Sequence, residues 1–274
     1  DYMTEANYIS MDKINAEWDF KTNTDWSKVA FEPSKMQKHN LAFQGGNPDG
    51  TYYLSLSYLD NNGYVVGDAD IYKRLTATIN ADYNIKKWLQ VGTHNQIEYY
   101  SRRAVAEGSE YGSLLSSVML LDPLTPVKYA PDNLPEHMQT MVDAGKHYLT
   151  DEDGNYYSTS AFLETDDYNP LIMRDKSYSI NSGYNINGSI YANLKPIKGL
   201  VITSRLGYRL SASRSYTVNN DFYVNTTINQ SYMSVNASAS TPMYLQWENF
   251  INYMRSFNKH NFTFMAGTSF IDNS

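Results

Sequence analysis

Residues 178–194 read Tyr-Ser-Ile-Asn-Ser-Gly-Tyr-Asn-Ile-Asn-Gly-Ser-Ile-Tyr-Ala-Asn-Leu, and this stretch decides the fold class. Its even positions carry neither a charge nor an amide, and its odd positions carry no aliphatic side chain. Because successive side chains of a strand point to opposite faces, the alternation predicts one long β-strand with an apolar and a polar, uncharged face. Strands of soluble domains usually have about 3–10 residues, so these 17 residues favour a strand that crosses a membrane.

The same alternation recurs along the chain and predicts eight antiparallel strands in all. They lie near 39–45, 52–58, 74–83, 89–99, 178–194, 200–210, 243–253 and 261–270.

The connections between these strands alternate in length. Short turns fall near 46–50, 84–87, 196–199 and 258–259. Between them lie a hairpin tip at 60–63, a long loop over 102–176 and a shorter loop over 212–240. Outer-membrane barrels have short periplasmic turns and long extracellular loops. The pattern predicts that asymmetry, with residues 1–35 as a further outer loop.

Aromatic side chains stand near the ends of the predicted strands, where a barrel carries its interfacial girdles. They are Tyr52, Tyr58, Trp88, Tyr99, Tyr178, Tyr184 and Phe270. A soluble β-sandwich or propeller also alternates with period two. The long strands, the girdles and the loop asymmetry favour the barrel.

Composition excludes several other classes of protein. The 274 residues carry a net charge of −7, which argues against a nucleic-acid surface. The absence of cysteine excludes thiolate metal sites and cysteine nucleophiles. The sequence contains no run of about 18 apolar residues, the length that a transmembrane helix needs. The chain begins Asp-Tyr-Met-Thr without the charged and apolar regions of a signal peptide, so we expect a segment of a longer protein.

The 102–176 loop is predicted to contain two helices. Ser109 could cap the first, which would place Leu114, Leu115, Val118 and Leu121 on one face and end before Pro123. Pro135 could open the second, with Gly145 closing it.

No pattern in the sequence points to catalysis, a cofactor or a bound metal. The five histidines, His39, His94, His137, His147 and His260, are isolated; His39 and His260 are expected beside short turns. Asp151-x-Asp153-x-Asn155 resembles the start of a calcium loop, but Tyr156 and Phe162 occupy its glycine and glutamate positions, which favours a hairpin turn. Asp166-Asp167 is best explained as a solvated loop. The sequence therefore predicts a protein that is not an enzyme.

Ordered local motifs over most of the chain resemble the SusC/RagA-type TonB-dependent transporters. They are Asn23-Thr24-Asp25-Trp26, the segments 39–46, 52–63 and 87–93, Pro123, Pro126-Val127, Asp153-Gly154-Asn155-Tyr156, Asn169-Pro170, and the segments 196–200 and 259–262. The resemblance implies a barrel of about 22 strands around an N-terminal plug, of which this chain would supply eight strands without the plug or the TonB box.

The resemblance also implies a function and partners. Such a transporter imports an oligosaccharide or a peptide across the Gram-negative outer membrane, with energy from the TonB complex and a SusD-like surface lipoprotein as its lid. Outer-membrane lipid would surround the barrel, and no nucleic acid is expected. The alternatives are a passive porin or structural barrel, and a soluble carbohydrate-binding β domain.

Five side chains are candidates for contact with cargo or plug inside the barrel. Glu98, Tyr100 and Arg102 share the polar parity of one strand, and Arg205 and Arg209 share that of another. Pairing of the two arginines with the plug or with neighbouring strands is the alternative. Tyr148, Tyr156 and Tyr157 in the long loop are candidates for packing against the lipoprotein.

Overall fold

The computed structural model describes residues 11–105, 113–163 and 167–274, and one antiparallel sheet dominates that part of the chain. The nine strands of the sheet are β1 (Lys35–Asn47), β2 (Gly50–Asn62), β3 (Ile71–Lys86), β4 (Leu89–Val105), β7 (Ser177–Leu194), β8 (Leu200–Asn219), β11 (Ser234–Ser240), β12 (Met243–Phe257) and β13 (His260–Asn273). The two-residue strands are β5 (Lys128–Tyr129), β6 (Tyr156–Tyr157), β9 (Phe222–Tyr223) and β10 (Asn229–Gln230). The helices are α1 (Met11–Glu17), α2 (Trp26–Ala30), α3 (Leu114–Leu120), α4 (Glu136–Asp143) and α5 (Pro170–Asp175). None of these helices is long and apolar enough to cross a membrane.

The strands form a meander in the order β1-β2-β3-β4-β7-β8-β12-β13, and all eight predicted strands are present. Strand β11 was not predicted. It pairs with residues 213–219 of β8, the half nearer the long loop, whereas β12 pairs with residues 200–210. The register is the same in both halves, since Ser240 lies opposite Ser213 and Met243 lies opposite Leu210. Pro242 separates β11 from β12, because proline has no backbone N–H to donate to the ladder.

The register places the predicted apolar residues on one face across all eight long strands. Directly opposed residues of an antiparallel pair share a face. One row of such pairs runs through Phe43, Leu54, Ile79, Asn95, Gly188, Tyr208 and Leu245.

This apolar face is exposed rather than covered by a second sheet. Leu41 and Ile190 each leave 54% of their surface accessible, and Phe264 leaves 62%. The buried side chains lie mainly in the loops, among them Trp26, Met138 and Ile172. A β-sandwich would bury the alternating rows between its sheets, so the structure is a transmembrane β-barrel segment and not a sandwich.

The helices of the long loop are close to those predicted. Ser113 caps α3 by accepting a hydrogen bond from the Ser116 N–H at 3.1 Å, whereas Ser109 lies outside the described residues. Of the four residues predicted to share one face of this helix, Leu121 is buried, Leu114 and Val118 are partly buried, and Leu115 is exposed. Helix α4 follows Pro135, and Gly145 comes after its last residue with a positive φ of 77°, as predicted. Helices α1, α2 and α5 were not predicted.

Several predicted boundaries were wrong because the strands extend beyond the residues that alternate. The short turn predicted at 84–87 is residues 87–88, since β3 continues to Lys86. Strand β2 continues through the predicted hairpin tip to Asn62, and the link is residues 63–70, whose Val65 and Ala69 cluster with Val105. Strand β4 extends to Val105, past the predicted start of the long loop. Strand β8 extends to Asn219, so much of the predicted 212–240 loop is strand.

Candidate functional site: the polar face of the sheet

All five candidate residues lie on the polar face of the sheet, opposite the exposed apolar face. Glu98, Tyr100 and Arg102 project from β4, and Arg205 and Arg209 from β8. Strand β7 lies between β4 and β8. Neighbouring strands are about 4.8 Å apart, which separates the two groups by about 10 Å across the sheet. They are also offset along the strands, since the row of Glu98 meets β8 at Ser211 and the row of Arg102 meets it at Ser215, so the five residues form no single compact pocket.

Glu98 belongs to a polar chain across three strands. The Asn185 Nδ2 group donates to its Oε1 at 3.0 Å, and the Ser211 hydroxyl donates to the Asn185 Oδ1 at 2.9 Å. The Arg74 guanidinium lies 3.9 Å from its other carboxylate oxygen. The carboxylate is therefore held by neighbours within the sheet.

The two arginines of β8 differ in how they are partnered. Arg205 lies opposite Glu248 and contacts its Oε2 through both Nε at 2.8 Å and Nη2 at 2.6 Å. Arg209 donates from Nε to the neutral Oδ1 of Asn187 at 3.0 Å. The charge of Arg205 is thus balanced within the sheet by its direct partner, whereas Arg209 is bonded to an amide.

Tyr100 and Arg102 lie nearest the long-loop end of the sheet. The Tyr100 hydroxyl donates to the Asn181 Oδ1 at 3.3 Å. Arg102 lines a cleft of about 830 Å³ between β3, β4 and α3. The other walls of this cleft are largely apolar, with Tyr64, Leu115 and Met119 among them.

A further polar cluster on this face was not predicted. The Tyr191 hydroxyl donates to the Asp82 carboxylate, and His94 Nε2 lies 3.7 Å from the same oxygen. Gly92 makes room for the cluster, because a Cβ there would collide with both Asp82 and Tyr191. The three residues come from three strands, so only the register brings them together.

The Asp151 motif is a turn, held by bonds that use both carboxylate oxygens. Asp151 Oδ1 accepts from the backbone N–H groups of Asp153 and Asn155, and Lys128 Nζ lies 2.6 Å from Oδ2. The bond from Lys128 holds the pKa of Asp151 well below its usual range. Within the described ranges no group of His, Asp and Glu side chains could hold a metal ion, and Asp166 falls outside them.

Two of the three loop aromatics cannot contact a partner. Tyr148 and Tyr157 are each 2% exposed and belong to the interior of the loops, so their predicted packing against a lipoprotein was wrong. Burial raises the pKa of Tyr148 to about 12. Tyr156 is half-buried. His39 lies opposite Tyr58, far from a short turn and contrary to prediction, whereas His260 does follow one.

The sequence has relatives among TonB-dependent receptors, although no protein-family model matches the chain. TonB-dependent receptor P39 of Formosa agariphila is 26% identical over 233 residues, which cover 84% of this chain and 19% of that protein. Receptor P3 of the same organism is 25% identical over 258 residues, which cover 90% of this chain and 22% of that receptor. TonB-dependent receptor SusC of Bacteroides thetaiotaomicron is 28% identical over 128 residues, covering 46% and 12%. The chain thus spans about a fifth of the length of the first two.

Solved structures share the fold. The RagAB peptide importer in its closed-closed state matches with a TM-score of 0.68 at 20% identity, over 100% of this chain and 27% of that chain. The RagAB peptide transporter matches with the same TM-score over 93% of this chain. The relatives and the shared fold confirm the resemblance inferred from the sequence: the chain is similar to one segment of the β-barrel of the SusC/RagA-type TonB-dependent transporters.

Proposed function

We propose that the chain is part of an outer-membrane transporter that imports an oligosaccharide or a peptide by a TonB-dependent mechanism, in a Gram-negative bacterium. The plug, the TonB box and the other strands would come from parts of the protein outside this chain. A SusD-like surface lipoprotein would close the transporter from outside. No step of this function requires catalysis.

One observation carries the proposal, namely the opposite character of the two faces of a single uncovered sheet. The apolar face is suited to lipid, since exposed apolar patches of this extent are rare on soluble proteins. The other face presents amides, hydroxyls, ion pairs and aromatic rings such as Tyr100 and Phe250, a surface suited to a wet lumen and to polar cargo. RagAB, whose barrel fold is similar, is described as a peptide importer.

The loop asymmetry supports one orientation in the membrane. The turns at 48–49, 87–88, 195–199 and 258–259 would face the periplasm. The long loop between β4 and β7, residues 11–34 and residues 220–233 would then lie outside the cell. Trp26 donates from Nε1 to the Asp122 carbonyl oxygen at 2.7 Å, so the first and the long loop pack together. We propose that all 274 residues belong to one barrel domain and that exposed parts of these loops meet the lipoprotein.

Uptake by the complete protein in cells tests the proposal. Cells that lack the gene are compared with cells that carry it, with labelled oligosaccharides and labelled peptides offered separately, with and without a protonophore. We expect gene-dependent accumulation of one cargo class that collapses when the inner membrane is de-energised. Gene-dependent uptake that survives the protonophore would instead indicate a passive porin. Folding of the complete protein without detergent or lipid would indicate a soluble domain.

A further inference from the structure

Charged side chains on the apolar face gather at the long-loop end of the sheet. Lys73 lies opposite Ser101, Ser101 opposite Ser182, and Ser182 opposite Arg214, so Lys73 and Arg214 share one row. Arg103 follows Ser101 at the next position of the same parity on β4. On β1, Gln37 lies in the row of Lys73, because its partner Asp60 is opposite Lys73. Lys35 is the next residue on the same face, two positions closer to the long-loop end. These four residues, Lys35, Lys73, Arg103 and Arg214, are the basic band.

The basic band follows directly after a row in which three of four side chains are tyrosines. Tyr58, Leu75, Tyr99 and Tyr184 form the preceding row on this face, and the rings of Tyr99 and Tyr184 lie 4.9 Å apart. Apolar rows continue from there to the short turns. Along the strands the face thus passes from mainly aliphatic rows to a largely aromatic row, and then to rows in which the four cations stand beside Ile180 and Tyr216. This is the order of acyl chains, interface and headgroups in a lipid leaflet.

The charges in the band have the same sign and are accessible. All four side chains are exposed, and the one acidic residue of this face beside them in the described strands, Asp60, lies 3.6 Å from Lys73. Arg103 stacks over the ring of Tyr178 at 5.3 Å, which orients its guanidinium along the sheet surface. At the short-turn end, the apolar face of the described strands carries two basic residues, Lys86 opposite Leu89 beyond a register shift and Arg255 opposite Phe262. They lie on β3 and β12, four strands apart in the sheet, and form no group comparable to the basic band. A cationic band in a chain of net charge −7 is therefore a local feature.

We propose that the basic band binds the phosphate groups of a phosphorylated lipid in the outer leaflet, an inference that rests on the proposed outer-membrane location. Arginine and lysine form strong charge-assisted hydrogen bonds with phosphate. Their aliphatic stems lie along apolar surface while their charged ends reach the headgroup zone. The basic band then binds the phosphate groups, while the apolar rows below it contact the acyl chains of the same lipid layer.

Native mass spectrometry of the full-length transporter in detergent tests the site. The probes are bisphosphorylated lipid A and the same lipid without phosphates. The variant K35Q/K73Q/R103Q/R214Q is compared with K86Q/K87Q/K198Q/K259Q, which removes the same charge at the short turns. We expect the native protein and the short-turn variant to prefer the phosphorylated lipid by about tenfold or more, and the basic-band variant to lose that preference.

Three outcomes would overturn the proposal. The basic-band variant could retain the preference while folding normally, as judged by its heat-modifiable migration. Inorganic phosphate could displace the lipid at equal concentration, which would indicate an ion site. The basic-band variant could bind lipid normally but lose co-purification of the surface lipoprotein, which would assign the basic band to a protein partner. Uptake of cargo is measured separately, so failure of the transport proposal is distinguishable.

Discussion

Tyr208 on β8 donates a hydrogen bond to Asn95 on β4 across the apolar face of the sheet, although the two strands are not neighbours. Strand β7 lies between them, and its residue in this row is Gly188. Asn95 donates in turn to the Thr93 hydroxyl at 2.6 Å, and Thr93 donates to the Ser189 carbonyl oxygen at 3.1 Å. Because lipid offers no hydrogen-bonding partners, this network satisfies the polar groups that interrupt the apolar face.

The substitution Gly188→Ala should break this network. Its Cβ would collide with Asn95 Oδ1 and crowd the Tyr208 hydroxyl. We expect the full-length protein to lose about 1–3 kcal/mol of unfolding free energy, measured by urea unfolding in lipid vesicles. Gly207→Ala is the matched control, since the nearest atom to its Cβ would be 3.7 Å away. Equal losses in the two variants would show that Gly188 does not act through the network.

Arg209 should matter more than Arg205 for cargo uptake if the polar face lines the transport path. Arg209 is bonded to an amide, whereas Glu248 already balances Arg205. We expect Arg209→Gln to raise the KM of uptake by about ten- to a hundredfold, the worth of one hydrogen bond to a charged group. The double variant Arg205→Gln/Glu248→Gln should change KM less than about twofold. The reverse ranking would contradict this assignment.

Arg174 should hold the long loop to the tip of the β2–β3 hairpin. Its Nη1 donates to the Val66 carbonyl oxygen at 3.3 Å, its Nη2 donates to the Tyr157 hydroxyl at 3.2 Å, and Asp175 pairs with it at 2.6 Å. We expect Arg174→Met to cost about 1–3 kcal/mol locally, visible as faster hydrogen exchange of residues 63–70. Arg174→Lys keeps the charge but lacks the planar guanidinium, so its exchange rate should lie between those of the native protein and Arg174→Met. Unchanged exchange in both variants would exclude this anchoring role.

Alkaline pH should open the loop interior before the sheet unfolds. Burial raises the pKa of Tyr129 and of Tyr148 to about 12, from an ordinary value of 10.0. Between these values the unfolded loop loses protons that the folded loop retains, so stability falls as pH rises from about 10 to about 12. We expect limited proteolysis of the loop in the full-length protein to accelerate over that same range of pH.

Matched tyrosine variants separate this effect from general damage at high pH. Tyr148→Phe should reduce the acceleration, because phenylalanine has no proton to lose. The same change at Tyr232, which is 69% exposed, should leave it unaltered. If proteolysis accelerates equally in the two variants, ionisation of buried tyrosines is not the cause.

The strands that alternation predicted are those whose apolar face meets no other part of the protein. There each residue obeys a local rule, apolar towards one side and polar towards the other, and the sequence shows it directly. Strand β11 was not predicted because Ser234–Ser240 consists of serine, alanine and asparagine with one large aliphatic residue, Val235, and so shows no alternation. Its place follows from β8, whose outer half offers the backbone groups that it pairs with.

The polar face was predictable as a face but not as a set of contacts. The parity of Glu98, Arg205 and Arg209 within their strands is enough to assign all three to this face. The pairing of Arg205 with Glu248 depends on the register, in which two residues 43 positions apart become direct neighbours. The same holds for Asp82 and Tyr191.

By itself the sequence determined the β class, the eight long strands and the side of the sheet on which each residue lies, because period-two alternation is a local property of the chain. Tertiary structure alone decided that Tyr148 and Tyr157 are interior residues, that Gly188 allows Tyr208 to reach Asn95, and that Lys73 and Arg214 share one row. Those relations join residues far apart in sequence, and only strand register and loop packing bring such residues together.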